Sequence, residues 1–181
     1  MDFMYYILLA EGFEEIEALT QTDVLRRAGI EVKNVGVTGD YVTGSHGITV
    51  KSDILIEEAA KNVPEGIILP GGIPGTPNIA KCEKAVELIK KVNDKGGLVA
   101  AICAAPFVLG EMGLLKGKKA ICYPGFEDKL IGAKVTMEKV VVDGNIVTSR
   151  GAGTAMDLAL ALVTYITGES SDKLSKAMIY G

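Results

Sequence analysis

The residues of this chain that can do chemistry are few, and Cys103 leads them. It closes the apolar run Leu98-Val99-Ala100-Ala101-Ile102 and is followed by Ala104-Ala105-Pro106. Leu, Val, Ala and Ile preceded by Gly96-Gly97 have the length and composition of a strand covered on both faces. Pro106 suits the first turn of a helix, where a missing N–H costs nothing. Cys103 then lies on a sharp strand-to-helix turn whose neighbours must be small, as Ala101, Ala104 and Ala105 are, and this is the arrangement of a nucleophile elbow. An unpaired cysteine in an apolar run is more often an inert core residue, but such a residue needs neither the alanine bracket nor the proline. The helix N-terminus beyond the turn favours thiolate over thiol and is expected to draw the pKa from about 8.5 into a range of about 3.5 to 7.5. The expected chemistry is nucleophilic attack by a thiolate at neutral pH.

Three further stretches fall where such a nucleophile would need partners. Leu69-Pro70-Gly71-Gly72 also follows an apolar run, and paired glycines let a backbone approach closely and turn its N–H groups inward. With the N–H of Ala104, that of Gly72 can form an oxyanion hole. In Glu14-Glu15-Ile16-Glu17 the first two carboxyls read as compensation of a helix dipole. Glu17, by helical spacing, shares the stripe Phe13, Glu17, Thr20, Val24 and faces the protein, so a raised pKa and a protonated carboxyl donating to the thiolate are expected. Ser149-Arg150-Gly151-Ala152-Gly153-Thr154 crosses from a strand to a helix, and Arg150 is either a surface charge or an anion-binding group of the pocket.

The elements that must position these residues alternate along the chain. A buried strand over 5–10 leads through Glu11-Gly12-Phe13 into a helix over 14–28 stopped by Gly29, and a second strand covers 31–37. Residues 41–43 and 48–50 look like a small antiparallel excursion. A buried strand over 66–69 precedes a helix capped by Asn78, whose stripe Ile79, Cys82, Val86, Ile89 makes Cys82 a core residue. After the Cys103 strand and its helix come a short strand over 118–123 and a hairpin of 138–142 with 146–149 turned on Asp143-Gly144-Asn145. Thr154-Ala155-Met156-Asp157 has capping-box spacing before an apolar helix to Ile166 that Gly168 ends. Strands alternating with helices predict a doubly wound α/β sandwich over 1–181 as one domain, with ligands at the carboxyl ends of a mostly parallel sheet.

Composition narrows the partners. A chain of 181 residues that is 48% hydrophobic and 23% charged has the make-up of a globular protein, and a net charge of −4 with scattered lysines leaves no footprint for nucleic acid or an anionic membrane. The apolar start is too short to span a bilayer and lacks a basic leader, so a cytoplasmic protein is expected. Cys82, Cys103 and Cys122 show no CxxC spacing, and His46 is the one histidine, so neither a disulfide framework nor a metal site is expected.

Taken together, the motifs over 10–17, 69–72, 100–106 and 149–154 resemble the ThiJ/PfpI superfamily, and within it the DJ-one-like branch. The resemblance runs from about Tyr6 to Ile166. It implies a flavodoxin-like sandwich forming a homodimer, with Cys103 as the reactive cysteine, Glu17 as its partner carboxyl, and Gly72 and Ala104 as backbone donors; Gly71, Tyr123 and Arg150 are candidates for the pocket lining. Family members with glyoxalase or deglycase activity often carry a histidine just before the proline of the 122–124 stretch, where this chain has Tyr123, so no His, Glu and Cys triad carries over. His46 falls where relatives have a basic side chain near the dimer interface. The resemblance implies a cofactor-independent, slow glyoxalase or deglycase acting on methylglyoxal, glyoxal or their early protein adducts. The alternative is an oxidative-stress sensor or chaperone-like protein using the same cysteine; cysteine peptidase activity ranks below both for want of a nearby histidine.

Overall fold

The run of apolar residues after Phe3 becomes an inner strand of a seven-stranded sheet, because nothing in it tolerates water on either face. The structure, a computed structural model, describes residues 3–181. From β1 (Met4–Leu9) the chain passes through α1 (Glu15–Arg27), β2 (Glu31–Gly36), a small hairpin of β3 (Tyr41–Thr43) and β4 (Thr49–Lys51), β5 (Ile54–Leu55) and a single turn, α2 (Ile56–Ala59). It returns as β6 (Gly66–Leu69), followed by α3 (Gly75–Lys81), α4 (Glu83–Asp94), β7 (Leu98–Ile102) and α5 (Pro106–Glu111). Then come β8 (Lys119–Ala120), β9 (Lys134–Val135), the hairpin β10 (Val140–Asp143) and β11 (Ile146–Ser149), α6 (Ala155–Thr167) and α7 (Asp172–Ala177).

The main sheet has the order β10-β11-β7-β6-β1-β2-β5 and is parallel except where β10 runs antiparallel to β11. Winding reverses between β1 and β6: from β1 the chain builds outward through β2 and β5, then comes back to place β6 on the other side of β1. At such a switch point the connections leave the carboxyl edge in opposite directions and open a crevice between them.

Alternation along each strand sends side chains to two cores. Leu8, Ile67, Leu69, Val99 and Ala101 pack with Ile79, Leu88, Ile89 and Val92 on one face, under α3 and α4. Ile7, Leu9, Ile68, Ala100 and Ile102 pack with Leu25 of α1 and Leu158 and Leu162 of α6 on the other. Each fully buried Leu or Ile contributes about 1.5–3 kcal/mol, and these two layers hold the strand ends that carry the site.

Several local expectations are corrected. Asn78 does not cap a helix: it lies inside α3, its Nδ2 donating to Glu11 O at 2.9 Å, and the helix breaks at Cys82, which is extended (φ −83°, ψ 103°) between α3 and α4. Cys82 is half-buried against the core rather than sealed in it. Of the strand expected over 118–123 only Lys119–Ala120 forms, and it pairs with β9 in a separate two-stranded ribbon. The Thr154 box is not made either. Thr154 Oγ1 bonds the Gly151 N–H and the Ser149 hydroxyl, across a 3-10 turn over Ala152–Thr154, and Asp157 pairs with Lys139. The hairpin over 138–149 is present, with Asp143 opposite Ile146 and Gly144 at φ +63° in the two-residue turn.

Candidate active site

Cys103 follows β7 and is one of two non-glycine residues with positive φ, at +64°, among the described residues. A side chain in this region costs on the order of 1–3 kcal/mol and persists only where its surroundings hold it. Here the Cys103 N–H donates to Ser149 O at 3.1 Å, Cys103 O accepts from the Tyr123 N–H at 2.8 Å, and Ala105 N–H folds back to Ile102 O at 3.0 Å. Ala101, Ala104 and Ala105 are buried, so larger neighbours would not fit. The turn thus has the elbow geometry that the alanine bracket and Pro106 predict, with Pro106 opening α5.

Glu17, on the first turns of α1, is 0% exposed. Its Oε2 accepts the Gly71 N–H at 2.8 Å, Oε1 is buried without a hydrogen-bond partner, and the carboxyl lies beside the Cys103 thiol. Gly71 lies between the two groups: a Cβ there would sit 2.5 Å from Glu17 Oε2 and 2.6 Å from Cys103 Cβ. Gly72 has φ +94°, and a Cβ on it would meet Glu14 N and Gly12 O at 2.5 Å. Only paired glycines let this turn pass between α1 and the elbow. It aims the Gly72 N–H, together with that of Ala104, at the Cys103 sulfur.

Burial pushes Glu17 up to about 7, with the neighbouring Glu14 adding to it and the Gly71 N–H and the Cys103 thiol opposing it. Burial also pushes the Cys103 thiol up to about 12, and the charge and hydrogen bond of Glu17 raise it further against the N–H groups of Ala104 and Gly72. This overturns the expected low thiol pKa. Cys103 stands three residues ahead of a six-residue helix, outside the first turn where the dipole acts. It also bears on the expected proton placement. The intrinsic gap between thiol and carboxyl is about four pK units, or about 6 kcal/mol. The sulfur has a net advantage of one N–H donor over the carboxyl, worth about 1.5–3 kcal/mol to a charged group. These terms favour the charge on Glu17 and the proton on sulfur, the fuller burial of Glu17 opposes them, and both groups are raised together.

Tyr123 and Arg150 do not enter this cluster. They line a groove of 350 Å³ beside it with Pro124, Gly151, Ala152, Gly153 and Thr154, joined to the elbow through the bonds from Tyr123 N–H to Cys103 O and from Cys103 N–H to Ser149 O. Tyr123 is 50% exposed, its ring lying over Gly151, where a Cβ would be 3.3 Å from Cδ2. Among the described residues Arg150 forms no ion pair, which leaves its guanidinium available to an anion. Sequence reasoning missed Glu15. Rather than compensating a dipole in solvent, it is buried and holds the turn over 44–48, accepting the N–H groups of His46 and Ile48 at 2.7 and 3.3 Å. The acidic run and the lone histidine were its only signals, and they are some thirty residues apart.

A strained cysteine at the carboxyl edge of a doubly wound, flavodoxin-like sheet, with a buried glutamate and two backbone N–H groups around it, defines a class of elbow-cysteine α/β proteins. The chain belongs to the DJ-1/PfpI family, whose model matches residues 5–165. It is 42% identical over 90% of its length to protein DJ-1 homolog B of Arabidopsis thaliana, of which it covers 38%, so it spans less than half of that relative. It is 34% identical to the glutathione-independent glyoxalase DJR-1.2 of Caenorhabditis elegans (95% of this chain, 93% of the relative) and 38% identical to a deglycase of Pyrococcus abyssi (81% and 89%). Among solved structures it is similar to Drosophila melanogaster DJ-1beta, with a TM-score of 0.93 and 33% identity over 100% of both chains. It is also similar to oxidized DJ-1 of Toxoplasma gondii, with a TM-score of 0.94 and 35% identity over 98% of both.

Proposed function

We propose that this chain is a cofactor-independent glyoxalase or deglycase-type enzyme acting on small reactive aldehydes, methylglyoxal, glyoxal or their early protein adducts, with Cys103 as nucleophile and Glu17 as its base. The observation that carries this reading is the pairing of a strained, accessible thiol with a buried carboxyl across Gly71, and the names of the C. elegans and P. abyssi relatives support it. Glu17, ionised above about pH 7, takes the thiol proton as sulfur attacks the aldehyde carbon. The N–H groups of Gly72 and Ala104 stabilise the charge on sulfur before attack and, within the same turn, the oxyanion after it. The oxyanion takes a proton to give a hemithioacetal. With methylglyoxal, Glu17 then moves the proton from the aldehyde carbon to the neighbouring carbon while the hydroxyl proton passes to the ketone oxygen, giving a thioester that water hydrolyses to lactate and free thiol. Arg150, in the adjoining groove, suits the carboxylate of the product. The reading extends to a cytoplasmic homodimer associating through the surface that carries exposed Ile16 and Ile48, beside the site.

A second reading, an oxidative-stress sensor, draws support from the two N–H groups aimed at Cys103 sulfur, which would also bind sulfinate oxygens formed by peroxide. Lactate formation from methylglyoxal by the pure protein, set against peroxide titration read by intact mass, separates the two. Turnover above the buffer rate supports the enzyme. Addition of two oxygens without turnover supports the sensor and overturns the enzyme.

A further inference from the structure

The amino edge of the sheet, opposite the elbow, carries a cavity of 290 Å³ lined by the rings of Phe3, Tyr5 and Tyr165, by Glu65, and by Leu98 and Ile166. It opens where β1, β6 and β7 begin, at Met4, Gly66 and Leu98, whereas Cys103 stands one residue past the other end of β7. The five residues of β7, about 16 Å of strand, separate it from the candidate active site. Bare backbone makes the room. A Cβ on Gly66 would meet Tyr5 Cδ1 at 2.7 Å, and one on Gly97 would meet the Glu65 carbonyl oxygen at 2.9 Å. Glu65 is tied on both sides, its N–H donating to Met4 O at 2.8 Å and its carbonyl accepting the Leu98 N–H at 3.0 Å.

We propose that this cavity binds a small quaternary or methylated ammonium cation, held among the rings of Phe3, Tyr5 and Tyr165 with Glu65 as its counter-ion. Three of the chain's six tyrosines and four phenylalanines meet here, and Glu65 is the one charged residue of the lining. Lys95 takes Glu65 Oε1 at 2.8 Å without lining the cavity, and Oε2 has no partner among the described residues. Tyr5 is only 8% exposed, yet its hydroxyl makes no hydrogen bond among the described residues. Burial raises its phenol above the ordinary value, with the Glu65 charge and then Tyr165 adding, so it stays neutral beside them. Aromatic rings present a negative face that attracts a cation most strongly where water is excluded, and a carboxylate beside them adds to the attraction. An anion would be repelled by Glu65, and a neutral guest would leave that carboxylate unused. The volume lies at the lower end of small-molecule sites, which begin at about 300 Å³, and so suits a single ammonium headgroup.

The test is a titration of the full chain with choline chloride and with 3,3-dimethylbutan-1-ol, its uncharged isostere, at matched ionic strength, followed through the methyl NMR signals of Leu98 and Ile166. Choline should shift both residues saturably and bind at least tenfold tighter than the alcohol. Tyr165→Leu, at an exposed position, should weaken choline about tenfold, while Tyr165→Phe, which keeps the ring, should stay within about twofold of native. Glu65→Gln should weaken choline about threefold and leave the alcohol unchanged. No saturable shift by about 50 mM choline, equal affinity for the alcohol, or native affinity in Tyr165→Leu would overturn the proposal. Equal affinity would mark the cavity as an apolar pocket indifferent to charge.

Discussion

Cys103 and Cys122 occupy neighbouring turns, joined by the hydrogen bond from the Tyr123 N–H to Cys103 O, and burial raises both thiols, to about 12 and about 11. By acidity alone neither is a nucleophile at neutral pH. Cys122 is 1% exposed, with its sulfur in the core beneath β7 and the remote charge of Glu127 as its acidic neighbour. Cys103 is half-buried, strained at φ +64°, and shares its surroundings with a carboxyl that loses its proton near pH 7. On the proposed reading, Cys103 is set apart from Cys122 by the adjacent carboxyl and an open approach rather than by a lowered pKa.

The contrast is broken most severely by exchanging the thiols one at a time. Cys103→Ser should abolish aldehyde consumption and the uptake of two oxygens under mild peroxide, while Cys122→Ser should leave both within about twofold and cost about 1 kcal/mol of stability. Steady-state lactate assays, intact mass and thermal unfolding check this, and oxygen uptake first at Cys122 would refute it. Removing the base without touching the thiol comes next: Glu17→Gln should slow turnover by about a hundred- to ten-thousandfold, because an amide carries no proton in either direction. Gly71→Ala should lose about as much with both groups still present, since its Cβ displaces them. Folded variants by circular dichroism with dead turnover would confirm that spacing, not residue type, was lost.

The raised Glu17 also has a signature in stability. The unfolded carboxyl ionises near 4.5 and the folded one near 7, so the folded state holds more protons between these values. The stabilisation is complete below about pH 4.5 and declines as pH rises through 7, by at most about 3 kcal/mol. Denaturant midpoints across this window should fall for the native chain relative to Glu17→Gln, and parallel curves would show that the carboxyl is not desolvated.

The smallest effect belongs to the groove. A phenol donates a hydrogen bond but is a poor base at pH 7, whereas an imidazole near 6.5 does both. Tyr123→His should therefore gain roughly tenfold in turnover, about 1.4 kcal/mol of barrier, if the ring at the rim of the groove reaches substrate. Steady-state rates for Tyr123→His and Tyr123→Phe that both match the native value would confine this position to packing over Gly151.

The elbow was legible because its rules are local. An apolar run, small neighbours and a following proline force one backbone course, and paired glycines after β6 do the same. Glu17 was legible from helical spacing. Its proton was not: that depends on which of two adjacent groups, one sealed and one half-buried, keeps the charge, a comparison no spacing contains. The bond from Glu15 to the His46 turn joins residues about thirty positions apart through tertiary contact. The break at Cys82 is likewise hidden, because its stripe of apolar residues reads as one continuous helix. The ribbon of β8 and β9, two pairs of residues long, carries no periodic signal at all.

The most direct test of an ionised base beside a protonated thiol is thiolate absorbance titrated against pH in native and Glu17→Gln protein, both carrying Cys82→Ser and Cys122→Ser. The native thiol should stay protonated well past neutrality, toward the value of about 12 that burial and Glu17 impose. In Glu17→Gln, where the neighbouring charge is gone and an amide N–H can reach the sulfur, the pKa should fall by at least one unit. A native thiolate already formed at pH 6, with a pKa that stays or rises in the variant, would show that Glu17 is a protonated donor and that the charge rests on sulfur.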